Sequence, residues 1–130
     1  MVSLLRRRLG VHFYYMLVRP LEAAPPPGAP PTGLAYRVLE EQELLAHCAD
    51  AQLDLREEGV RAALGRGHVC AGAFADGRLA GYLWYGFDGG AHTDGVRVVV
   101  GPRLRYAYKV HVRPDCRGRG IARALLARGA

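Results

Sequence analysis

The sequence predicts an α/β fold of the α+β type, in which helices pack on a mixed, mostly antiparallel, twisted sheet. One observation is that runs with the two-residue periodicity of strands are interspersed with runs of helical periodicity. A second is the pair Asp76-Gly77, which separates two strand-like runs and is typical of a tight antiparallel hairpin. The length of 130 residues suffices for one such domain with a modest core.

Each element follows from a local pattern. Leu44, Leu45 and Cys48 share one face of a helix, and Gly65 is predicted to end the next helix. Residues 89–95 contain several glycines and are predicted to form a loop. In chain order, the predicted elements are strand 34–39, helix 40–50, helix 52–64, strand 68–74, strand 78–87, loop 89–95, strand 96–100, strand 104–112 and a helix from 121.

Two segments precede this domain. Residues 1–23 are predicted to form an N-terminal arm, which contains a strand-like run at residues 11–18. Residues 24–33 contain five prolines and are predicted to form an extended Pro-rich linker, because proline disfavours both helix and sheet. No apolar run is long enough to span a bilayer, and no cleavage site follows the basic N-terminus, so no membrane partner is predicted.

The charge and the cysteines exclude some classes of function. The formal net charge is +6, and because Lys109 is the only lysine, almost all of the positive charge is arginine, which suits phosphate and carboxylate partners. The arginines are scattered, so nucleic acid is not a predicted partner. The three cysteines are far apart and form no C-x-x-C, so neither a disulfide framework nor a metal site is predicted. We expect a reducing, cytoplasmic location.

The most informative stretch is the turn between the last strand and the last helix. Pro114 ends the strand because it cannot donate to a ladder, and a helical pattern starts at Ile121. Free amide groups and the dipole at a helix start attract anions. Gly118 and Gly120 would let a phosphate approach the backbone closely. Neither the dinucleotide fingerprint nor the P-loop pattern is present.

The segment Arg117-Gly118-Arg119-Gly120-Ile121-Ala122 matches the pattern Arg/Gln-x-x-Gly-x-Gly/Ala, and it follows a strand that ends Val110-His111-Val112-Arg113-Pro114. This combination resembles the pyrophosphate-binding motif of the GCN5-related N-acetyltransferase (GNAT) family. The order of predicted elements is also similar to that family. The resemblance implies a GNAT-like acyl-CoA N-acyltransferase domain over residues 34–130.

The resemblance also implies a co-substrate, acetyl-CoA, and a primary amine as acceptor. The pyrophosphate of acetyl-CoA would bind the backbone of the turn, which consists of Arg117, Gly118, Arg119, Gly120, Ile121 and Ala122. Its pantetheine would lie along the edge of the preceding strand, and the backbone of Val110, His111 and Val112 would hold the thioester. The amine would attack the thioester directly, and the identity of the acceptor stays open.

A general base is not obvious, because no carboxylate lies between Leu104 and Val112. His111 is a catalytic candidate, since imidazole transfers protons near neutrality. The alternative is that His111 is only a polar residue on the sheet face opposite Val110 and Val112. Tyr108 is a second candidate, which can line the acceptor site or merely pack.

One departure from the family pattern concerns the end of the sequence. The family normally continues with a further strand, a helix and closing strands, whereas this sequence ends at Ala130, within the third helix. The expectation is therefore a domain incomplete after that helix, with an exposed sheet edge that favours a homodimer. The alternative function is a truncated, non-catalytic module that binds CoA or a protein partner.

Overall fold

The computed structural model describes residues 33–93 and 96–128, without the side chains of residues 90–93 and 96. The predicted arm at residues 1–23 and all but the last residue of the linker lie outside the described residues. The elements are β1 (Leu34–Val38), α1 (Glu41–His47), a 3₁₀ turn (Ala51–Leu53), α2 (Glu57–Gly65), β2 (Val69–Ala75), β3 (Arg78–Gly86), β4 (Gly89–Thr93), β5 (Val96–Val99), β6 (Tyr106–Val112), a 3₁₀ turn (Pro114–Cys116) and α3 (Ile121–Arg128).

The main sheet has the strand order β1-β2-β3-β6, and all three pairings are antiparallel. This confirms the predicted α/β fold with a mostly antiparallel sheet. The predicted hairpin is also confirmed, because Asp76 and Gly77 join β2 to β3. Both residues have a positive φ, at 51° and 76°. An Asp-Gly pair adopts this backbone at little cost, and the resulting turn matches the twist of the strands.

The predicted loop at residues 89–95 was wrong in its first part. Residues 89–93 form β4, which pairs antiparallel with β5 in a separate two-stranded sheet. The local sequence misled because glycine has low strand propensity. In this sheet glycine is needed for close packing: a Cβ on Gly89 would lie 1.7 Å from the carbonyl oxygen of Val98. A contact across the pair, and not local propensity, therefore determines the element.

The helix bounds also needed correction. The first predicted helix ends at His47, and the second is interrupted, because residues 51–53 form a separate 3₁₀ turn and α2 begins only at Glu57. The Asp50 carboxylate accepts from the backbone of Gln52, and Asp54 has a left-handed backbone with φ at 48°. These two aspartates favour turns over a continuous helix. Gly65 lies inside α2, and the chain turns left-handed only at Gly67.

The core consists of two layers on opposite faces of the sheet, and β3 is buried along nearly all of its length. One layer packs α1 and α2 against the sheet through Leu44, Val60 and Tyr82. The other packs α3 through Ile121 and Leu125. Within β6, Tyr108 packs against the first layer and Val112 against the second. Among the described residues, no helix is long and apolar enough to cross a membrane.

Candidate functional site

Arg113 anchors the chain where β6 ends and the turn begins. Its backbone N–H donates to the Ala80 carbonyl oxygen at 2.7 Å, and its Nε donates to the Leu79 carbonyl oxygen at 3.0 Å. Its guanidinium also forms an ion pair with Asp50 at 2.7 Å, and the residue is only 5% exposed. A buried arginine needs such partners, because an unpaired buried charge is costly. These contacts hold the start of the turn against the hairpin strand β3.

The turn itself presents a row of unpaired amide groups. Gly118 and Gly120 have φ values of 78° and 76°, and a Cβ on either would meet no atom within 4 Å. Within the described part of the chain, the amides of residues 118–123 donate no hydrogen bond, and the first helical bond runs from the Ala124 amide to the Gly120 carbonyl oxygen. The surface beside these amides is therefore open to an anion.

The side chains of the turn have different tasks. Arg117 folds back, so that its Nε donates to the Val112 carbonyl oxygen at 3.1 Å, and Arg119 is exposed. Ile121 is 1% exposed and packs α3 onto the sheet. Ala122 is half-buried. Ile121 and Ala122 can therefore offer an anion only their backbone, whereas Arg119 can also offer charge.

β6 is the outer strand of the sheet as described, since it pairs with β3 alone. Lys109 pairs with Trp84 and Ala107 pairs with Tyr85, which leaves Tyr108 as the extra residue of a β-bulge. Val110 is 43% exposed, and Val112 packs in the layer of α3. The edge of β6 beyond the bulge therefore leads directly into the turn.

Two alternate residues of β6, and Arg113 directly after the strand, fasten the segment 50–54 to the sheet. Lys109, His111 and Arg113 lie on the sheet face of α1 and α2, and each reaches one residue of that segment. The contacts are Lys109 Nζ to the Asp54 carbonyl oxygen at 2.6 Å, His111 Nε2 to the Gln52 carbonyl oxygen at 2.8 Å, and Arg113 Nη2 to Asp50 Oδ2 at 2.7 Å. Hydrogen bonds from Arg113 and Lys109 lower the pKa of the Asp50 and Asp54 carboxyls.

His111, the first catalytic candidate, is thus engaged in structure. Its Nε2 donates to a carbonyl, and its ring stacks on Tyr82 with 5.5 Å between the centroids. Proton transfer by this ring would have to use Nδ1. His111 and Val112 lie on opposite faces, as the alternation in sequence indicates.

Two neighbouring clefts lie between α2 and β6. They have volumes of about 350 and 310 Å³ and share Gly59, Ala63 and Tyr108. The first is lined by Asp54, Arg56, Gly59, Trp84, Tyr108 and Lys109, and the second by Gly59, Arg66, His68, Arg97 and Tyr108, among others. Together they form a candidate acceptor site beside the edge strand.

Tyr108, the second catalytic candidate, is half-buried in the wall shared by both clefts. Its hydroxyl lies 3.0 Å from Nδ1 of His68, whose Nε2 lies 2.8 Å from Asp88. Burial raises the pKa of Tyr108 to about 12. No local pattern in the sequence indicates a role for His68, because its two partners, Tyr108 and Asp88, come from distant parts of the chain.

Comparison with known proteins bears on this site. The family model for the Acetyltransferase (GNAT) family matches residues 34–130. No curated protein is significantly similar to the chain. Among solved structures, a predicted acetyltransferase with acetyl-CoA from Clostridium acetobutylicum is 18% identical, with a TM-score of 0.50, and the match covers 73% of this chain and 70% of that one. This likeness shows the fold.

Two other solved structures are similar over a comparable region. A ribosomal-protein-alanine N-acetyltransferase from Brucella melitensis biovar Abortus 2308 is 26% identical, with a TM-score of 0.45 and coverage of 72% of this chain and 66% of that one. A GNAT family acetyltransferase from Brucella melitensis in complex with acetyl-CoA is 19% identical, with a TM-score of 0.49 and coverage of 74% and 65%. The chain thus spans about two thirds of the length of these structures or slightly less. Because the family model matches most of the sequence, the chain belongs to the GNAT family of acetyltransferases.

Proposed function

We propose that this protein transfers the acetyl group of acetyl-CoA to a primary amine. The observation that carries the proposal is the row of unpaired amides at residues 118–123, at the start of α3 and directly after the edge strand β6. A pyrophosphate fits such a site, because free N–H groups and the helix dipole both favour negative charge. The solved structure of a predicted acetyltransferase with acetyl-CoA from Clostridium acetobutylicum supports the choice of ligand.

In this proposal the pyrophosphate binds the amides between Arg117 and Ala122, and Arg119 adds a charged donor. The pantetheine lies along the edge of β6 as an added strand. The backbone of Val110, His111 and Val112 holds the thioester, where an amide can polarise the acetyl carbonyl. No metal ion takes part in this scheme.

The acceptor amine binds in the clefts between α2 and β6 and attacks the thioester carbon directly. His111 and Tyr108 are the residues of β6 that can accept its proton. The contact between His111 and the Gln52 carbonyl favours a positioning role for His111. The cytoplasmic location stays a prediction from the free cysteines, and the homodimer stays a prediction as well.

The test of this function is calorimetric titration of CoA into the parent protein and into Gly120→Glu. The new carboxylate would stand beside the pyrophosphate and weaken the site by repulsion and steric exclusion. We expect a loss of at least ~1–3 kcal/mol, or about tenfold or more in affinity, the scale of charge-assisted hydrogen bonds.

Gly67→Glu is the matched control, since Gly67 has the same φ of 76°, has equally open surroundings and lies after α2. It should bind CoA like the parent. Equal affinities for Gly120→Glu and the parent would refute the pyrophosphate assignment. Binding of acetyl-CoA without transfer to any amine would instead identify a non-catalytic CoA-binding module.

A further inference from the structure

A chain of three polar side chains links the acceptor clefts to a carboxylate on the far side of a buried histidine. His68, just before β2, is 5% exposed. Its Nδ1 lies 3.0 Å from the hydroxyl of Tyr108 in the bulge of β6, and its Nε2 lies 2.8 Å from Oδ1 of Asp88, between β3 and β4. The rings of His68 and Tyr108 meet edge to face, with centroids 5.4 Å apart.

The partners fix the direction of each hydrogen bond. Hydrogen bonds from His68 and Arg66 lower the pKa of the Asp88 carboxyl, and Arg97 also contacts this carboxylate at 2.8 Å. An ionised carboxylate only accepts, so Nε2 of His68 carries a hydrogen and donates it to Asp88. In the neutral ring, Nδ1 then holds a lone pair, which accepts from the Tyr108 hydroxyl.

The two hydrogen bonds therefore run in one direction, since Tyr108 donates to His68 and His68 donates to Asp88. When the Tyr108 oxygen receives a proton, the Tyr108 hydroxyl can pass its own proton to His68. Asp88 then stabilises the resulting imidazolium. Tyr108 lines both clefts and His68 lines the second, whereas Asp88 lines neither and is held by Arg66 at 2.7 Å. Tyr108 is also two residues before Val110, on the strand that leads to the turn.

We propose that Tyr108 is a catalytic residue that takes the proton of the attacking amine and relays it to His68, with Asp88 as a positioning residue. This inference rests on the proposed acetyl transfer. The bound ammonium group gives a proton to the Tyr108 oxygen, while the Tyr108 proton moves to Nδ1 of His68, and the neutral amine nitrogen then forms a bond to the acetyl carbon. The C–S bond then breaks, the proton that the nitrogen loses on acylation passes to the leaving thiolate, and the imidazolium returns its proton to solvent.

The proposal is tested with two acceptors that differ in their need for a base. Benzylamine is protonated at neutral pH and must lose a proton before its nitrogen can attack. Hydroxylamine is largely neutral at that pH and does not need this step. Transfer from acetyl-CoA to each is measured at pH 7 for the parent and for Tyr108→Phe. We expect kcat with benzylamine to fall about a hundredfold, the lower range of general-base effects. The rate with hydroxylamine and the KM for acetyl-CoA should stay close to those of the parent.

Two further variants make the result specific. Asp88→Asn, at a side chain that is half exposed, should lower the benzylamine rate and spare the hydroxylamine rate, even if Tyr108→Phe does not fold. Tyr106→Phe removes the hydroxyl of the neighbouring tyrosine, whose ring stacks on Tyr108, and should leave both rates unchanged.

Different failures have different meanings. The relay would be overturned if Tyr108→Phe and Asp88→Asn both lowered the transfer rate equally with the two acceptors, or lowered it with neither. Either result would leave the acetyl transfer intact. A parent protein that binds acetyl-CoA but acetylates neither acceptor would overturn the relay and the transfer together. Failure of the parent to bind acetyl-CoA would refute the coenzyme site itself.

Discussion

Single residues set the geometry of the turn before α3, and Arg113 holds the start of this turn in place. Its backbone and side chain contact Leu79, Ala80 and Asp50, so it joins β6 to both β3 and the segment 50–54. The sequence predicted only that a strand ends near this position. The ion pair with Asp50 was not predictable, because no local pattern indicates which distant aspartate a buried arginine will meet.

The pair of Asp50 and Arg113 predicts a pH dependence of stability. Arg113 lowers the pKa of the Asp50 carboxyl in the folded protein. Ionised Asp50 therefore stabilises the fold fully above its ordinary pKa, and this stability is lost as the pH falls through that value towards the lowered one. We expect Asp50→Asn to be less stable than the parent at pH 7, with the difference shrinking on acidification.

Urea unfolding at a series of pH values between ~7 and ~3 measures this difference. Asp76→Asn is the control, because Asp76 lies in the exposed hairpin turn, and asparagine tolerates its positive φ. A gap between Asp50→Asn and the parent that stayed constant down to the acid end would contradict the assignment.

Gly81 predicts a second effect at the residue scale. A Cβ at this position in β3 would lie 2.8 Å from the carbonyl oxygen of His111 and 3.3 Å from Ile121. Gly81→Ala should therefore push β6 and α3 away from β3. We expect it to lower the free energy of unfolding by about 1–3 kcal/mol, the usual cost of overpacking. Chemical denaturation measures it. Gly65→Ala is the control, because its new Cβ meets no atom within 4 Å, and this variant should be as stable as the parent or more stable. A Gly81→Ala variant as stable as the parent would refute the close contact.

At the scale of elements, the hairpin and the strand before the turn were predictable, because each carries a strong local signal. Asp76-Gly77 adopts its turn from backbone preference alone. Glycine-rich β4 was missed because its pairing with β5 depends on a close backbone approach. The late start of α2 was missed because the turns at Asp50 and Asp54 compete with a continuous helix.

The helix α2 supplies one wall of the clefts, and at Gly59 no side chain projects from this wall into them. Gly59 lines both clefts, and a Cβ there would meet no atom within 4 Å. Gly59→Phe should therefore fold, since glycine is a weak helix former, and should fill the clefts. We expect the KM for benzylamine to rise about tenfold or more, equivalent to about 1.4 kcal/mol of lost binding, with unchanged affinity for CoA.

Gly65→Phe is the matched control, because Gly65 lies in the same helix, is exposed and does not line either cleft. Steady-state kinetics and calorimetry on both variants separate acceptor binding from coenzyme binding. An unchanged KM in Gly59→Phe would remove the acceptor from these clefts.

At the scale of the whole molecule, the site has two parts with different predictability. The turn before α3 could be located from the sequence, because its glycines, arginines and helix start are contiguous, and its binding of the coenzyme stays a prediction. The clefts beside β6 could not be located, apart from Tyr108 in their wall, because α2, the segment 50–54 and His68 meet β6 only after folding. Lys109, His111 and Arg113 join these two parts, so the fold that positions the turn also positions the clefts.

The central claim is that the free amides after β6 receive the pyrophosphate of the coenzyme. The most direct measurement is backbone amide NMR of the ¹⁵N-labelled protein during titration with CoA. The largest shifts should fall on Gly118, Arg119, Gly120, Ile121 and Ala122, and pantetheine, which lacks the pyrophosphate, should leave these five amides nearly unmoved. If CoA bound and its largest shifts fell elsewhere, or if pantetheine reproduced them, the claim would be contradicted.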